Sequence, residues 1–266
     1  MTPPVPRRAE PVNAAVGHAP RRVAEVHAQT RRGLLVAAGF VVAALGVGAA
    51  RVGASWWLPL HLFVVGGLLS AISAAAQMFA VTWSAAPASR PAIVRAQRWA
   101  VAAGAVALVV GRETDHTWTF VAGGATVIVA MLVLALILLR VRRQAVTDRF
   151  APAIEAYIVA VVAGAVGMSL GVLLGAGRAG GRAVELRGAH LVLNVLGLVG
   201  LVIAATLPYF AATQVRSKMS KRATPIRMRV TFNALAAATA VAATGRSSID
   251  PASSRPDWSP MRSGFS

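Results

Sequence analysis

His61 and His190 are the residues of this chain best placed to do chemistry, because of the five histidines they alone fall inside long apolar blocks. His61 stands five residues after Trp56, about 7.5 Å into its block if that block is helical. His190 stands three residues after Arg187, near the start of a later block. Lipid cannot satisfy the hydrogen bonds of an imidazole, so such a ring faces the interior of a helix bundle and often marks a site. Two neutral imidazoles on neighbouring helices are suited to be axial ligands of a haem, or ligands of a copper ion. Asn194 joins them as a cofactor-binding candidate, since it lies one helical turn from His190 on a stripe that continues through Gly197, Leu201 and Pro208. The plainer reading of each ring is a hydrogen bond to a neighbouring backbone or to a lipid headgroup.

Other chemistry is narrowed by what the chain lacks. It contains no cysteine, so a thiolate nucleophile, a disulfide and a type 1 copper site cannot be built from it alone. Glu155 is the one acid placed within an apolar block; three residues after Pro152, it suits the first turn of a helix, where a carboxylate complements the dipole. Glu113, Asp115 and His116 cluster in a short connection and read as a solvated turn rather than a cation site. Gly175, Gly177 and Gly180 match the dinucleotide-binding spacing, but they follow an apolar block and not a strand, which removes the structural context of that motif. No nucleophile stands beside a poised base, so the isolated chain is not expected to be an enzyme.

The elements that must position these residues follow from composition. Of the 266 residues, 56% are hydrophobic and only 14% charged, and the apolar ones come in long runs, the pattern of a membrane protein. Residues 33–50, 56–83, 99–111, 118–139, 153–175, 189–212 and 230–244 are the candidate spans. The expected fold is all-α, a polytopic transmembrane bundle of about seven helices. The third and seventh blocks are short and rich in alanine. Residues 1–32 carry several prolines and three arginine pairs and read as a basic mobile tail, with a short helix near 23–29; residues 245–266 form a short polar tail.

The net charge of +18 would ordinarily suggest nucleic acid. The basic residues instead lie between apolar blocks, where the lipid bilayer is the anionic partner, and no nucleic acid is expected. With the N-terminus inside, 19 of the 27 Lys and Arg fall in cytoplasmic segments, so the positive-inside rule gives an N-in, C-out topology. His61 and His190 then share a depth near the outer surface. The pair Arg31 and Arg32 before an apolar run matches an export signal, but it equally anchors a first span. The scarcity of lysine beside arginine, with heavy use of Ala, Gly and Val, points to a GC-rich bacterial genome and hence to the bacterial plasma membrane, crossed several times.

Two stripes describe helix surfaces. Gly66, Ser70, Ser73, Gln77 and Ser84 share one face of the second span; at 100° per residue His61 points away from it, and the stripe reads as a packing surface. Gly167, Gly171 and Gly175 form a small-residue ridge that lets another helix approach closely.

Leu60, His61, Leu62, Phe63, Val64, Val65 and Gly66, together with His190, Leu191, Asn194, Gly197, Gly200 and Thr206 and, more loosely, Pro208, Gln214, Arg216, Lys218 and Met219, resemble the membrane-embedded N-terminal region of actinobacterial multicopper oxidases and copper nitrite reductase-like proteins. That resemblance implies an electron-transfer or anchoring role beside a copper protein, with His61 and His190 at the positions of the family's membrane histidines. The cupredoxin domains of those proteins have no counterpart here. The expectation is a membrane module of a copper-dependent redox system, with a copper protein or other membrane subunit as partner. A small-solute transporter or channel and a structural or assembly subunit are the alternatives, the transporter disfavoured because no internal repeat is visible.

Overall fold

The structure is a computed structural model that describes residues 13–50 and 56–245, with side chains from residue 24 onward. The arginine pair Arg7 and Arg8, Arg51 and the tail from residue 246 on lie outside the described residues.

Seven helices make up the described residues, with no strand among them. They are α1 (Asn13–Ala49), α2 (Trp57–Ser84), α3 (Pro91–Glu113), α4 (Thr117–Arg143), α5 (Ala151–Gly175), α6 (Gly180–Gln214) and α7 (Pro225–Gly245). Six are long and apolar enough to cross a membrane: Ala24–Ala49 of α1 and the whole of α2 to α6. The 27 residues of α4 reach about 40 Å, enough to cross a hydrocarbon core of about 30 Å with the arginines of the last turn beyond it. Those arginines, Arg140, Arg142 and Arg143, also complement the negative end of the helix dipole. α7 has membrane length, 21 residues, but Arg227, Arg229, Asn233 and three threonines hold it below the apolarity of the other six.

Each of the seven apolar blocks lies in one helix. Residues 91–98, expected in a loop, are helical instead. Pro91 occupies the first turn of α3, where its fixed φ favours a helix start, and Val94, Gln97, Val101, Ala105 and Leu108 are buried at three- and four-residue steps. Trp99 is therefore two turns inside α3 and not at its end. The short helix expected near residues 23–29 is part of a continuous α1 that starts at Asn13.

α4 and α5 form the centre of the bundle, where Met131, Leu134 and Leu138 meet Ile154, Tyr157 and Val161, all fully buried. α3 and α4 make the closest antiparallel pair, and glycine makes it possible. A Cβ on Gly123 would stand 2.3 Å from the backbone nitrogen of Leu108, and one on Gly111 2.2 Å from that of Phe120. α1 lies along α2, with Phe40 over Gly66. α6 lies along α5, and α7 closes against α5 and α6.

Polar side chains also join the helices. Gln97 on α3 accepts hydrogen bonds from Ser73 (2.8 Å) and Gln77 (3.2 Å) of α2 and donates to the carbonyl of Ala130 on α4 (3.2 Å). The α2 stripe thus packs against its neighbours as its composition suggests. Glu155, expected only to cap α5, takes Arg142 of α4 at 3.0 Å and Arg229 of α7 at 2.7 Å.

Candidate functional site

His61 closes the first turn of α2, and its Nδ1 lies 2.8 Å from the carbonyl oxygen of Trp57. The Trp57 indole stacks on the imidazole, with centroids 4.0 Å apart and planes 19° apart. Beyond the indole stand the Arg112 guanidinium, 6.0 Å from the ring, and the Phe120 ring at 6.5 Å. This end of the bundle is thus made by the start of α2, the end of α3 and the start of α4.

His190 reaches the same end from α6. Its ring lies on Gly171 of α5, where a Cβ would stand 2.6 Å from its Cε1. Its Nδ1 lies 2.7 Å from the carbonyl oxygen of Gly167. Asn194, one turn on, rests over Gly167 itself and donates to the carbonyl oxygen of His190 at 2.8 Å. Leu198 then covers Gly164. The glycine ridge does what its spacing implies, close approach of a second helix, and the residues it seats are the two polar candidates of α6. Its last member, Gly175, receives the Phe120 ring, so Phe120 touches the α5 ridge on one side and faces Trp57 on the other.

Both rings have the same internal arrangement. A carbonyl oxygen only accepts, so each Nδ1 carries the proton and donates, to Trp57 in one case and to Gly167 in the other. The 3.3 Å approach of the Asn194 amide to Nδ1 of His190 is then a contact between two donors and not a bond. Each Nε2 then carries the ring's free lone pair. That division of labour is the one in which metal-bound histidines are found, the second nitrogen fixing tautomer and ring orientation through a backbone carbonyl or carboxylate. His61 lies within electrostatic reach of His190 and of Arg112, although α2 and α6 do not pack along one another.

The structure thus sets His61, His190 and Asn194 at one end of the bundle, with Asn194 bonded along α6 to His190. It adds Trp57, Phe120 and Arg112, which composition could not distinguish from interfacial aromatics and a loop cation. Trp56 and Trp118, by contrast, are 80% and 83% exposed and suit headgroup depth. Trp83 is drawn inward among Phe79, Phe150, Tyr157 and Tyr209.

Among the described residues no three histidine, aspartate or glutamate side chains gather as a metal-binding group. Glu113 and His116 flank a tight turn in which Asp115 takes a left-handed φ of 55° and His116 bonds the Thr114 carbonyl at 2.7 Å. No family model, curated protein or solved structure matches the chain.

Proposed function

We propose that this protein is an integral membrane module that holds a haem or a copper ion between α2 and α6 through Nε2 of His61 and His190, and that passes electrons to a copper-dependent partner. The observation that carries the reading is the paired commitment of Nδ1 to a carbonyl, at 2.8 Å in His61 and 2.7 Å in His190, which leaves two oriented ligand nitrogens at one end of the bundle. The donor set fits the chemistry: imidazole suits iron and copper, and no thiolate or carboxylate competes for a harder or softer metal. Haem iron, or copper cycling between two oxidation states, held by His61 and His190, would supply one-electron transfer when bound. Trp57 and Phe120 supply apolar walls, and Arg112 a cation for a propionate or for charge balance.

A copper protein as partner rests on the resemblance at Leu60 to Gly66 and at His190 to Thr206, and the bacterial plasma membrane is the proposed setting. In this reading the chain relays or anchors and does not itself turn over a substrate.

The test is an absorption spectrum with metal analysis of protein purified from native membranes. A Soret band lost in His61→Ala and in His190→Ala supports haem; stoichiometric copper lost in the same variants supports copper. Colourless, metal-free protein sinks the cofactor reading and leaves an assembly subunit, which co-purification of a partner would identify.

A further inference from the structure

At the opposite end from the histidines, α1, α2 and α3 enclose a cavity of about 290 Å³. Three arginines line it, Arg32, Arg95 and Arg98, and no acidic residue does. Arg98 is the deepest of them. Its Nη1 donates to the carbonyl oxygen of Gln29, but its Nε is buried with no partner. Ser70 on α2, only 6% exposed, also lines the cavity, and its hydroxyl is buried without a partner. Ala74 packs against Gly33 beside Arg98, which places Ser70 one turn, about 6 Å, further into the membrane. The remaining wall is apolar, with Val36 and Val94, and Trp99 stands at its edge, 66% exposed.

A cation held in a cavity without a counter-charge is costly, and so is a buried hydroxyl with nothing to bond. Both are satisfied by one kind of ligand: a phosphate-type anion, whose oxygens accept from guanidinium groups in a geometry that arginine matches well. Two sources carry that group, a lipid headgroup and free phosphate. The lipid is favoured by what lies beyond the arginines. A free phosphate would fill only the basic mouth, whereas a phospholipid places its phosphate among Arg32, Arg95 and Arg98, an ester oxygen at Ser70 and an acyl chain along Val36, one turn deeper than Arg32. Basic pockets between membrane helices are a known form of headgroup site. We infer that the cavity between α1, α2 and α3 is a binding site for an anionic phospholipid. It is independent of the cofactor reading, being at the other end of the bundle.

The experiment uses the full chain in neutral detergent, with phosphatidylglycerol, phosphatidylcholine or inorganic phosphate added at equal concentration, and reads retained lipid by native mass spectrometry alongside the thermal midpoint. Phosphatidylglycerol should be retained roughly tenfold more strongly than phosphatidylcholine and should raise the midpoint, as expected for a few arginine–phosphate contacts near a membrane surface. Arg32 and Arg95 are exposed, so the double variant Arg32→Gln with Arg95→Gln should fold normally and lose most of that preference. Arg98→Gln should lose it too; if that variant fails to fold, the double variant still decides. Equal retention of the two lipids, or a preference unchanged in the double variant, overturns the inference. Inorganic phosphate protecting as well as phosphatidylglycerol overturns the lipid assignment and gives the site to a free anion.

Discussion

Gly171→Ala tests whether His190 is seated where the site requires. The added Cβ would stand 2.6 Å from Cε1 and 2.8 Å from Nδ1 of His190, where ordinary contact begins at 3.4 Å, so the ring must retreat by about 0.8 Å, the difference between those two distances. Starting from 2.7 Å, the bond from Nδ1 to the Gly167 carbonyl then passes the roughly 3.2 Å limit of a good hydrogen bond. Losing a bond to a partner left buried costs about 1–3 kcal/mol, and the overpacking adds a cost of similar size. The gain in helix propensity from replacing glycine with alanine offsets about 1 kcal/mol. Gly39→Ala supplies the control, since Gly39 is also mid-helix but nothing lies within 4 Å of its Cβ position. Denaturant titration in mixed micelles should find Gly39→Ala neutral or slightly stabilising, and Gly171→Ala less stable by about 2–6 kcal/mol relative to it, the propensity gain being common to both. In a His190→Ala background the same Gly171 substitution should cost nothing. If Gly171→Ala is as stable as Gly39→Ala, or if its cost survives removal of the imidazole, His190 does not rest on Gly171 and the ligand geometry is wrong.

Glu155→Gln should loosen α7, because one carboxylate holds Arg142 and Arg229; with the side chains a quarter to two-fifths exposed, a double-mutant cycle with Arg229→Gln should give a coupling of about 1 kcal/mol, after discounting for solvent. Gln97→Leu removes the group that joins α2, α3 and α4 and should cost about 0.5–2 kcal/mol, read in the same titration. Gly123→Ala should be far worse than Gly171→Ala, since its Cβ meets backbone of Leu108 at 2.3 Å and no side chain can swing aside; a folded, stable variant would refute the closeness of α3 and α4.

The long apolar runs made the helices legible, because length and continuous hydrophobicity are all a span requires. The bounds of α3 were not, since its first two turns are amphipathic: Arg95 and Arg98 made a helical segment look like a loop, and only the buried series Val94, Gln97 and Val101 reveals its face. The ridge of Gly167 and Gly171 was legible as packing, but which helix it received was not, because nothing local in α5 names its partner. Gly104, Gly111 and Gly123 carried no four-residue signature, so the tightest helix pair was invisible until α3 and α4 were set side by side. The basic cavity escaped for a related reason. Its arginines come from two helices and its serine from a third, and in sequence each looked like an anchor or part of a packing stripe.

Counting 100° per residue from His61 to Ser70 and Gln77 does not hold through α2, and the reason leads to a further prediction. Immediately after His61 the helix widens to a π-helical stretch, Leu62–Leu68, and three residues after His190 α6 does the same over Leu193–Gly200. In such a stretch hydrogen bonds run i→i+5 and each residue turns the chain by less than in an α-helix, so the ends on either side are re-phased relative to each other. His61 is therefore re-phased relative to the packing face below it, whereas His190 stays in line with Asn194 and Leu198 on the α5 ridge. Deleting Val64 should convert the first stretch toward a regular helix and rotate Trp57 and His61 by roughly one residue step, about 100°, relative to the buried face of Ser70 and Ser73. The chain has no cysteine, so Trp57→Cys with Phe120→Cys gives a clean pair of thiols where the native rings lie 6.5 Å apart. A short bifunctional thiol reagent should join them in the full-length chain and fail to do so after the deletion, while a cross-link between cysteines at Ser73 and Gln97, on the far side of the stretch, should persist in both. Cross-linking at positions 57 and 120 that survives the deletion would mean that the π-helical stretch does not set the histidine face.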